Sequence, residues 1–250
     1  MQIGFIGAGN MASALARGWA EPVLVFDAYR PRAQALVDEL GGEVVGSNAE
    51  LAQRVDAVLL AHKPGGLERV ADEVRCEAKG VISILGGVAV DALRAAYGAE
   101  MPVVRMLPSV PVEVRDGVSV HARDPQADAQ LEQQTLELFA RVGTVVSVDE
   151  NQVDAAMGLM SCAPAYVALV AEAQIDAGLR AGLPADVAAQ LVVRTLGGTA
   201  ALLEARAYDT LAVRRSVTSP GGSTARGVAA LEHAGLRAAF DDAMQAVLSR

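Results

Sequence analysis

Short apolar runs alternate with segments of helical periodicity over about the first 148 residues of the chain. Seven of these runs are continuously apolar, a pattern typical of strands that are covered on both faces of a sheet. They are 2–6, 23–26, 57–61, 81–85, 103–106, 118–121 and 144–148. Helical stretches lie between several of them, at 11–19, 31–40, 67–74 and 128–141. Strands that alternate with helices at this spacing predict an α/β fold with a doubly wound, largely parallel sheet.

After residue 151 the strand pattern stops and helical patterns take over. Residues 165–181 are Ala-rich and end at Gly182, and Pro184 fits the first turn of a further helix that runs towards Glu204. The last segment carries one apolar stripe at helical spacing. We therefore predict an α/β domain over residues 1–150 and an all-helical domain over residues 151–250.

Helices this apolar are difficult to bury within a domain of about a hundred residues. The helical domain is therefore expected to form a homodimer, and a buried central helix of a monomer is the alternative. The net charge of −9 disfavours a nucleic-acid partner.

The two cysteines, Cys76 and Cys162, lie far apart, so we expect neither a disulfide framework nor a metal site. The chain starts without a signal-like segment, and no apolar stretch reaches the ~20 residues of a membrane span. These features predict a cytoplasmic protein with no membrane partner.

A glycine-rich turn joins the first strand to the first helix. The first glycine permits a tight turn, the second lets the backbone approach a pyrophosphate, and Ala12 allows close packing of the helix on the strand. The helix N-terminus offers free N–H groups to the phosphates. This arrangement predicts a Rossmann-type dinucleotide site, and a purely structural turn is the alternative. Its residues are Gly7, Ala8, Gly9, Asn10 and Met11.

Asp27 ends the second strand, about twenty residues after the glycine-rich turn. An acidic residue here can bind the ribose 2′-hydroxyl of NADH and would repel the 2′-phosphate of NADPH. Arg30 and Arg32 follow closely and could bind that phosphate instead, and Asp27 could equally be a solvated turn residue. Either NADPH or NADH therefore fits, with a slight preference for NADH.

A second dense motif lies near the C-terminal end, before a helical run at 225–233. Its proline fixes the entry to the helix, its glycines free the backbone, and its two hydroxyls stand at the helix start. Several N–H groups would point outwards together and could bind a small carboxylate; an ordinary capped helix is the alternative. The motif is Ser219, Pro220, Gly221, Gly222, Ser223 and Thr224.

Together these motifs make the chain resemble the pyrroline-5-carboxylate reductase family over nearly its whole length. The resemblance lies in the segments 4–12, Lys63-Pro64, 105–108 with Gly117, 163–166, Glu172 with Asp176, Gly182-Leu183 and 219–224. It implies an N-terminal domain that binds NAD(P)H and a helical domain that forms an interlocked dimer. The implied reaction reduces the C=N bond of 1-pyrroline-5-carboxylate to give L-proline.

The resemblance also implies roles for individual residues. The substrate carboxylate would bind the loop that contains Ser219, Gly221, Gly222 and Ser223, and the Thr224 hydroxyl would lie near the imine nitrogen. Lys63 and Pro64 would lie against the nicotinamide, and Ser109 would contact the cofactor. We therefore assign Thr224 and Lys63 as candidate catalytic residues. A lysine at a strand end can also be simply solvated.

Two departures from the family pattern bear on function. Ser109 stands where the family usually has Asn, and Ser161-Cys162-Ala163 replaces Gly-Ser-Gly before Pro164. A different imine or keto acid could therefore be the substrate, or the chain could bind dinucleotide without catalysis. A β-hydroxyacid dehydrogenase relative is disfavoured because no lysine follows Lys79. His62, His121 and His233 are scattered and are interpreted as structural or solvated.

Overall fold

A computed structural model describes residues 1–249 of the chain. Within them, eight strands form one sheet: β1 (Ile3–Ile6), β2 (Val23–Phe26), β3 (Gly42–Val44), β4 (Ala57–Leu60), β5 (Val81–Ser83), β6 (Val103–Pro108), β7 (Gly117–Arg123) and β8 (Gly143–Asp149). Their order is β3-β2-β1-β4-β5-β6-β7-β8. Neighbouring strands are parallel except β6 and β7, which are antiparallel. The predicted doubly wound, largely parallel sheet is confirmed.

Seven helices accompany the sheet: α1 (Asn10–Trp19), α2 (Arg30–Leu40), α3 (Asn48–Arg54), α4 (Leu67–Val74), α5 (Val90–Tyr97), α6 (Ala129–Ala140) and α7 (Val153–Met160). Polar residues fix some of their starts: Ser47 Oγ accepts the Glu50 N–H at 3.1 Å, and Asp128 Oδ1 accepts the Leu131 N–H at 2.8 Å. Five helices follow: α8 (Ala163–Arg180), α9 (Ala185–Ala205), α10 (Thr210–Ser216), α11 (Ser223–His233) and α12 (Leu236–Leu248). The change from an α/β to an all-helical pattern is thus confirmed.

Hydrophobic clusters cover both faces of the sheet. Phe5 and Ile6 are consecutive residues of β1, so their side chains point to opposite faces, and each belongs to a different cluster. On the Phe5 side, Trp19 of α1 packs between Phe5 and Phe139, with ring centroids 5.8 and 5.5 Å away. Burial on both faces explains why these strands are continuously apolar.

The chain divides into two compact units, one of residues Met1–Pro164 and one that begins at Ala165. Helix α7 belongs to the first unit because its Val153 and Met160 pack with Leu107 and Val120 of the sheet. The sequence boundary near residue 150 therefore marks the change of pattern, whereas the contacts divide at the first turn of α8.

Candidate functional site

The turn between β1 and α1 requires glycine at its first position. Gly7 has φ +105°, and a Cβ there would lie 2.8 Å from the carbonyl carbon and oxygen of Ala61 at the end of β4. Its N–H donates to Phe26 O at 2.8 Å, which ties the turn to β2. Around Gly9, by contrast, a Cβ would meet nothing within 4 Å. The chain thus leaves open space over Gly9, where a ligand could approach the backbone.

Helix α1 begins at Asn10 with Gly9 at its N-cap, and no side chain caps it. The first N–H groups of a helix have no partner within the helix. They therefore face outwards at the carboxyl edge of the sheet, as a pyrophosphate site requires. Ala8 is buried and Met11 is partly buried, whereas Asn10 is exposed at the helix start.

A cleft of about 500 Å³ lies at the carboxyl ends of β1, β2 and β4. Of the residues predicted to bind the cofactor, it brings together Gly7, Gly9, Asp27, Lys63 and Pro64. Arg32 also lines it. Arg30 is exposed at the first position of α2 and lies outside the lining, as do Asn10 and Met11.

Asp27 connects two of the loops that form the cleft. Its Oδ2 accepts the backbone N–H of Ala8 at 2.7 Å, and its Oδ1 accepts the backbone N–H of Tyr29 at 2.8 Å. Arg32 Nη1 lies 3.6 Å from Oδ2. The carboxylate is therefore a fixed part of the cleft, and the reading of Asp27 as a solvated turn residue is wrong.

Two polar atoms at the cleft are buried without a hydrogen-bond partner: Asn48 Oδ1 and His62 Nε2. Asn48 Nδ2 donates to Glu73 Oε2 at 2.6 Å, which fixes its amide with the oxygen free. His62 Nδ1 lies 2.8 Å from Lys63 O and must donate to it, so Nε2 is an acceptor. Burial lowers the pKa of His62 and keeps it neutral. Unpaired buried acceptors are rare, and both residues line the cleft.

His62 and Asn48 were not among the residues predicted from sequence. His62 was interpreted as structural or solvated, although its position directly after β4, at the carboxyl edge of a parallel sheet, was a usable signal. Asn48 carries no such signal, because its role depends on Glu73 from another helix.

Lys63 is exposed at the end of the β4 segment and opens a short turn at Pro64–Gly66. Its carbonyl accepts the Gly66 N–H at 2.9 Å as well as the His62 imidazole N–H. The backbone of Lys63 therefore shapes the cleft, and its side chain stands free at the rim.

Ser109 is buried and its hydroxyl is committed to the sheet. Its Oγ donates to Val118 O and accepts the Val118 N–H, both at 2.9 Å. The hydroxyl therefore joins the end of β6 to β7, and Ser109 lies outside the cleft lining. A direct contact of this side chain with a cofactor has no support in the geometry.

The Ser219–Thr224 loop lies in the second unit and precedes α11. Gly221 has φ +70°, and a Cβ on Gly222 would overlap Ser219 Oγ, so both positions favour glycine. The Gly222 N–H donates to Ser219 O at 3.1 Å, which closes a tight turn. Gly222 is the N-cap of α11 and no side chain caps the helix, so its first N–H groups are free for an anion. Ser223 and Thr224 are exposed.

Comparison with known proteins assigns the family. Pyrroline-5-carboxylate reductases of Synechocystis sp., Pseudomonas aeruginosa and Homo sapiens (reductase 2) are 36%, 32% and 31% identical to the chain. These matches cover 100%, 100% and 98% of the chain and 97%, 95% and 81% of the relatives. The chain belongs to the pyrroline-5-carboxylate reductase family.

Domain and structure comparisons agree with this assignment. Residues 150–250 match the family described as pyrroline-5-carboxylate reductase dimerisation, and residues 2–87 match NADP oxidoreductase coenzyme F420-dependent. A Plasmodium falciparum pyrroline carboxylate reductase with NADP bound superimposes with a TM-score of 0.88 at 27% identity, over 99% of this chain and 95% of that one. The reductase of Streptococcus pyogenes gives 0.89 at 25% identity, over 100% and 99%. The N-terminal unit is a Rossmann-type domain for a nicotinamide dinucleotide, as predicted.

One expectation about this reductase-family chain needs correction. The stretch Glu150–Arg180, which contains α7, α8 and the turn between them, is long and apolar enough to cross a membrane by length and composition alone. Asp154 and Glu172 bound its uncharged centre, so the continuous uncharged run is shorter than a membrane span although the whole stretch is apolar. Only 22% of its most apolar window is buried within the chain.

Among the described residues, no group of three or more His, Cys, Asp or Glu is arranged to hold a metal ion.

The family segment Gly-Ser-Gly, which is Ser161-Cys162-Ala163 here, forms the turn between α7 and α8. The Ser161 and Cys162 N–H groups both donate to Met157 O, at 2.9 and 3.0 Å. None of the three residues has a positive φ. The backbone at this turn is therefore compatible with residues other than glycine.

Proposed function

We propose that the protein is a pyrroline-5-carboxylate reductase, which uses NAD(P)H to reduce the C=N bond of 1-pyrroline-5-carboxylate to L-proline in proline biosynthesis. The observation that carries this proposal is the match to named pyrroline-5-carboxylate reductases over essentially the whole chain. The two glycine-rich motifs support it, because each is built for an anionic group of the type that the reaction requires.

The residues of the N-terminal unit bind and orient the cofactor, which when bound supplies the hydride. The free N–H groups at the start of α1 bind the pyrophosphate over Gly9. Asp27 lines the cleft and binds the adenosine ribose. Lys63 and Pro64 stand at the rim beside the nicotinamide. The protein thereby contributes position and electrostatics rather than a nucleophile.

The Ser219–Thr224 loop binds the substrate carboxylate. Its glycines free the backbone, and the uncapped start of α11 directs N–H groups outwards. The Thr224 hydroxyl hydrogen-bonds the imine nitrogen and keeps it placed as it becomes an amine. No covalent intermediate with the protein is needed, since a protonated imine is already an electrophile.

We further propose a homodimer formed through the helical unit. In the single chain, α8 and α9 expose large apolar side chains, including Val167, Leu169, Leu191 and Val193. Exposed apolar surface of this extent is typical of an association surface. The match of residues 150–250 to a dimerisation family supports the same arrangement. Association would also cover the apolar stretch Glu150–Arg180 without a membrane.

A cytoplasmic location remains our proposal. Cys76 and Cys162 are both free thiols, and Cys76 is exposed. Free thiols of this kind are typical of proteins in a reducing compartment.

The proposal is tested by following absorbance of NADH and of NADPH with purified protein, with and without pyrroline-5-carboxylate. We expect oxidation that depends on the imine, with stoichiometric formation of proline. Oxidation with another cyclic imine or a keto acid, but not with this one, would indicate a changed substrate. Cofactor binding with no turnover of any of them would indicate a non-catalytic dinucleotide-binding protein and would overturn the proposal.

A further inference from the structure

The carboxylate of Asp27 is held in place by two different loops. One oxygen accepts the Ala8 N–H of the glycine-rich turn, and the other accepts the Tyr29 N–H of the turn after β2. The side chain is only 9% exposed. Because both oxygens are anchored to backbone, the carboxylate cannot rotate out of the cleft without losing two charge-assisted hydrogen bonds.

Each carboxylate oxygen can accept about two hydrogen bonds. Asp27 therefore keeps acceptor capacity on both oxygens after binding Ala8 and Tyr29. A ribose hydroxyl is a neutral donor and can use that capacity. A phosphate offers only acceptors and negative charge, so it gains nothing from Asp27 and is repelled by it.

Arg32 is the cation placed to attract a phosphate, but it faces Asp27. Its Nη1 lies 3.6 Å from Asp27 Oδ2, and its guanidinium lies 5.8 Å from the centroid of the Tyr29 ring. A phosphate that recruited Arg32 would have to draw it away from the carboxylate. The two charges already compensate each other, which leaves Arg30, exposed at the start of α2, as the other nearby cation.

We propose that Asp27 makes this chain selective for NADH over NADPH. The inference rests on the proposed function only in taking a nicotinamide dinucleotide as the ligand. It separates this chain from the relative of known structure that has NADP bound. Asp27 acts as the specificity-determining residue because it is fixed, nearly buried and charged at the position where the two cofactors differ.

The test is binding, measured without imine so that it is independent of turnover. Nucleotide fluorescence titrations give the dissociation constants of NADH and NADPH, and calorimetry compares 5′-AMP with adenosine 2′,5′-bisphosphate. We expect the wild-type protein to bind NADH at least about tenfold more tightly than NADPH. It should likewise bind 5′-AMP more tightly than adenosine 2′,5′-bisphosphate. Equal affinities, or tighter binding of NADPH, would overturn the inference. The reductase activity is tested separately, by the absorbance assay with imine.

Asp27→Ser and Asp27→Asn remove the charge, and the latter also keeps the size of the side chain. Both variants should reduce the preference for NADH, measured as the ratio of the NADPH to the NADH dissociation constant, by about tenfold. The change should come mainly from tighter NADPH binding. Glu77→Gln is the matched control, since it removes one negative charge from an exposed residue outside the cleft and should leave the ratio unchanged. Thermal melts verify folding, and an unchanged ratio in a folded Asp27 variant would contradict the assignment.

Discussion

The hydroxyl of Ser109 bonds both backbone groups of Val118, each at 2.9 Å. These bonds lie where β6 ends beside its antiparallel neighbour β7, next to the turn at Val110–Val114. The residue at this position therefore stabilises the sheet junction in this chain.

Ser109→Ala should lower the free energy of unfolding by about 1–3 kcal/mol, because it leaves the partly buried N–H of Val118 without its partner. Dissociation constants for NADH and NADPH should change less than about twofold, since the side chain lies outside the cleft lining. Urea denaturation and cofactor titration measure the two effects. Ser119→Ala is the control. Ser119 is also a buried serine but lies on β7, and its replacement should lower the free energy of unfolding by less than Ser109→Ala does. A large loss of cofactor affinity with unchanged stability would show that the Ser109 side chain does contact the cofactor.

The two glycines of the β1–α1 turn should respond differently to alanine. Gly7→Ala forces a positive φ on alanine and places its Cβ against Ala61, so stability should fall by about 1–3 kcal/mol or more together with dinucleotide binding. Gly9→Ala meets no protein atom and should melt like the wild type, yet it should bind dinucleotide much more weakly. Thermal melts and titrations distinguish these outcomes. Normal binding by Gly9→Ala would show that the pyrophosphate does not approach this backbone.

Much of the fold and part of this site could be predicted from sequence, for local reasons. Strands such as β1 and β4 are buried on both faces and read as continuous apolar runs, and Gly7 and Asp27 stand at the spacing that a dinucleotide turn requires. Strand β3 escaped prediction because it has three residues, starts with glycine and lies at the sheet edge. Helices α3, α5 and α10 were also not predicted, because they have only seven or eight residues and their apolar stripes are brief.

The missing parts of the site depend on distant contacts. Asn48 gains its free oxygen because its amide nitrogen is bound by Glu73, and His62 gains its free nitrogen from a bond to Lys63 O. The family resemblance places Ser109 at the cofactor, whereas its hydroxyl hydrogen-bonds the backbone of Val118, nine residues later on β7. None of these partnerships has a sequence pattern of its own.

Thr224→Val removes the hydroxyl but keeps the shape of the side chain. It should lower kcat by about 10- to 100-fold, the range expected for one lost hydrogen bond to a charged group. Cofactor affinity should be unchanged. Thr224→Ser keeps a hydroxyl and should recover most of the activity, as a test of chemistry rather than packing. Full activity of Thr224→Val would remove Thr224 from the mechanism.

Leu169 of α8 is 64% exposed in the single chain. Leu169→Arg should prevent association, because a charge would have to be buried in the dimer interface. Light scattering should then give the chain mass of 25.8 kDa, whereas the wild type gives at least twice that value. Val146→Arg, an exposed apolar position on β8, is the matched control and should remain associated. A monomeric wild-type protein would contradict the proposed assembly.

His121 should make the protein less stable in mild acid. Its ring is buried, with Nδ1 3.1 Å from Ser147 Oγ and Nε2 3.2 Å from Glu132 Oε1. The neutral ring satisfies both contacts if Ser147 donates to Nδ1 and Nε2 donates to Glu132. Burial lowers the pKa of His121, more than the nearby Glu132 raises it, while Arg123 lowers it further and Asp124 raises it.

The unfolded chain therefore binds more protons than the folded one between the lowered pKa of His121 and its ordinary value of about 6.5. Over that range stability rises with pH, so it is fully present above about 6.5 and falls as the pH drops towards the folded pKa. His62, whose pKa is also lowered, adds to the same trend. Urea midpoints measured from neutral to mildly acidic pH should thus fall for the wild type and fall less for His121→Gln, whose amide does not titrate. Parallel curves for the two proteins would show that His121 is protonated equally easily in the folded and unfolded states.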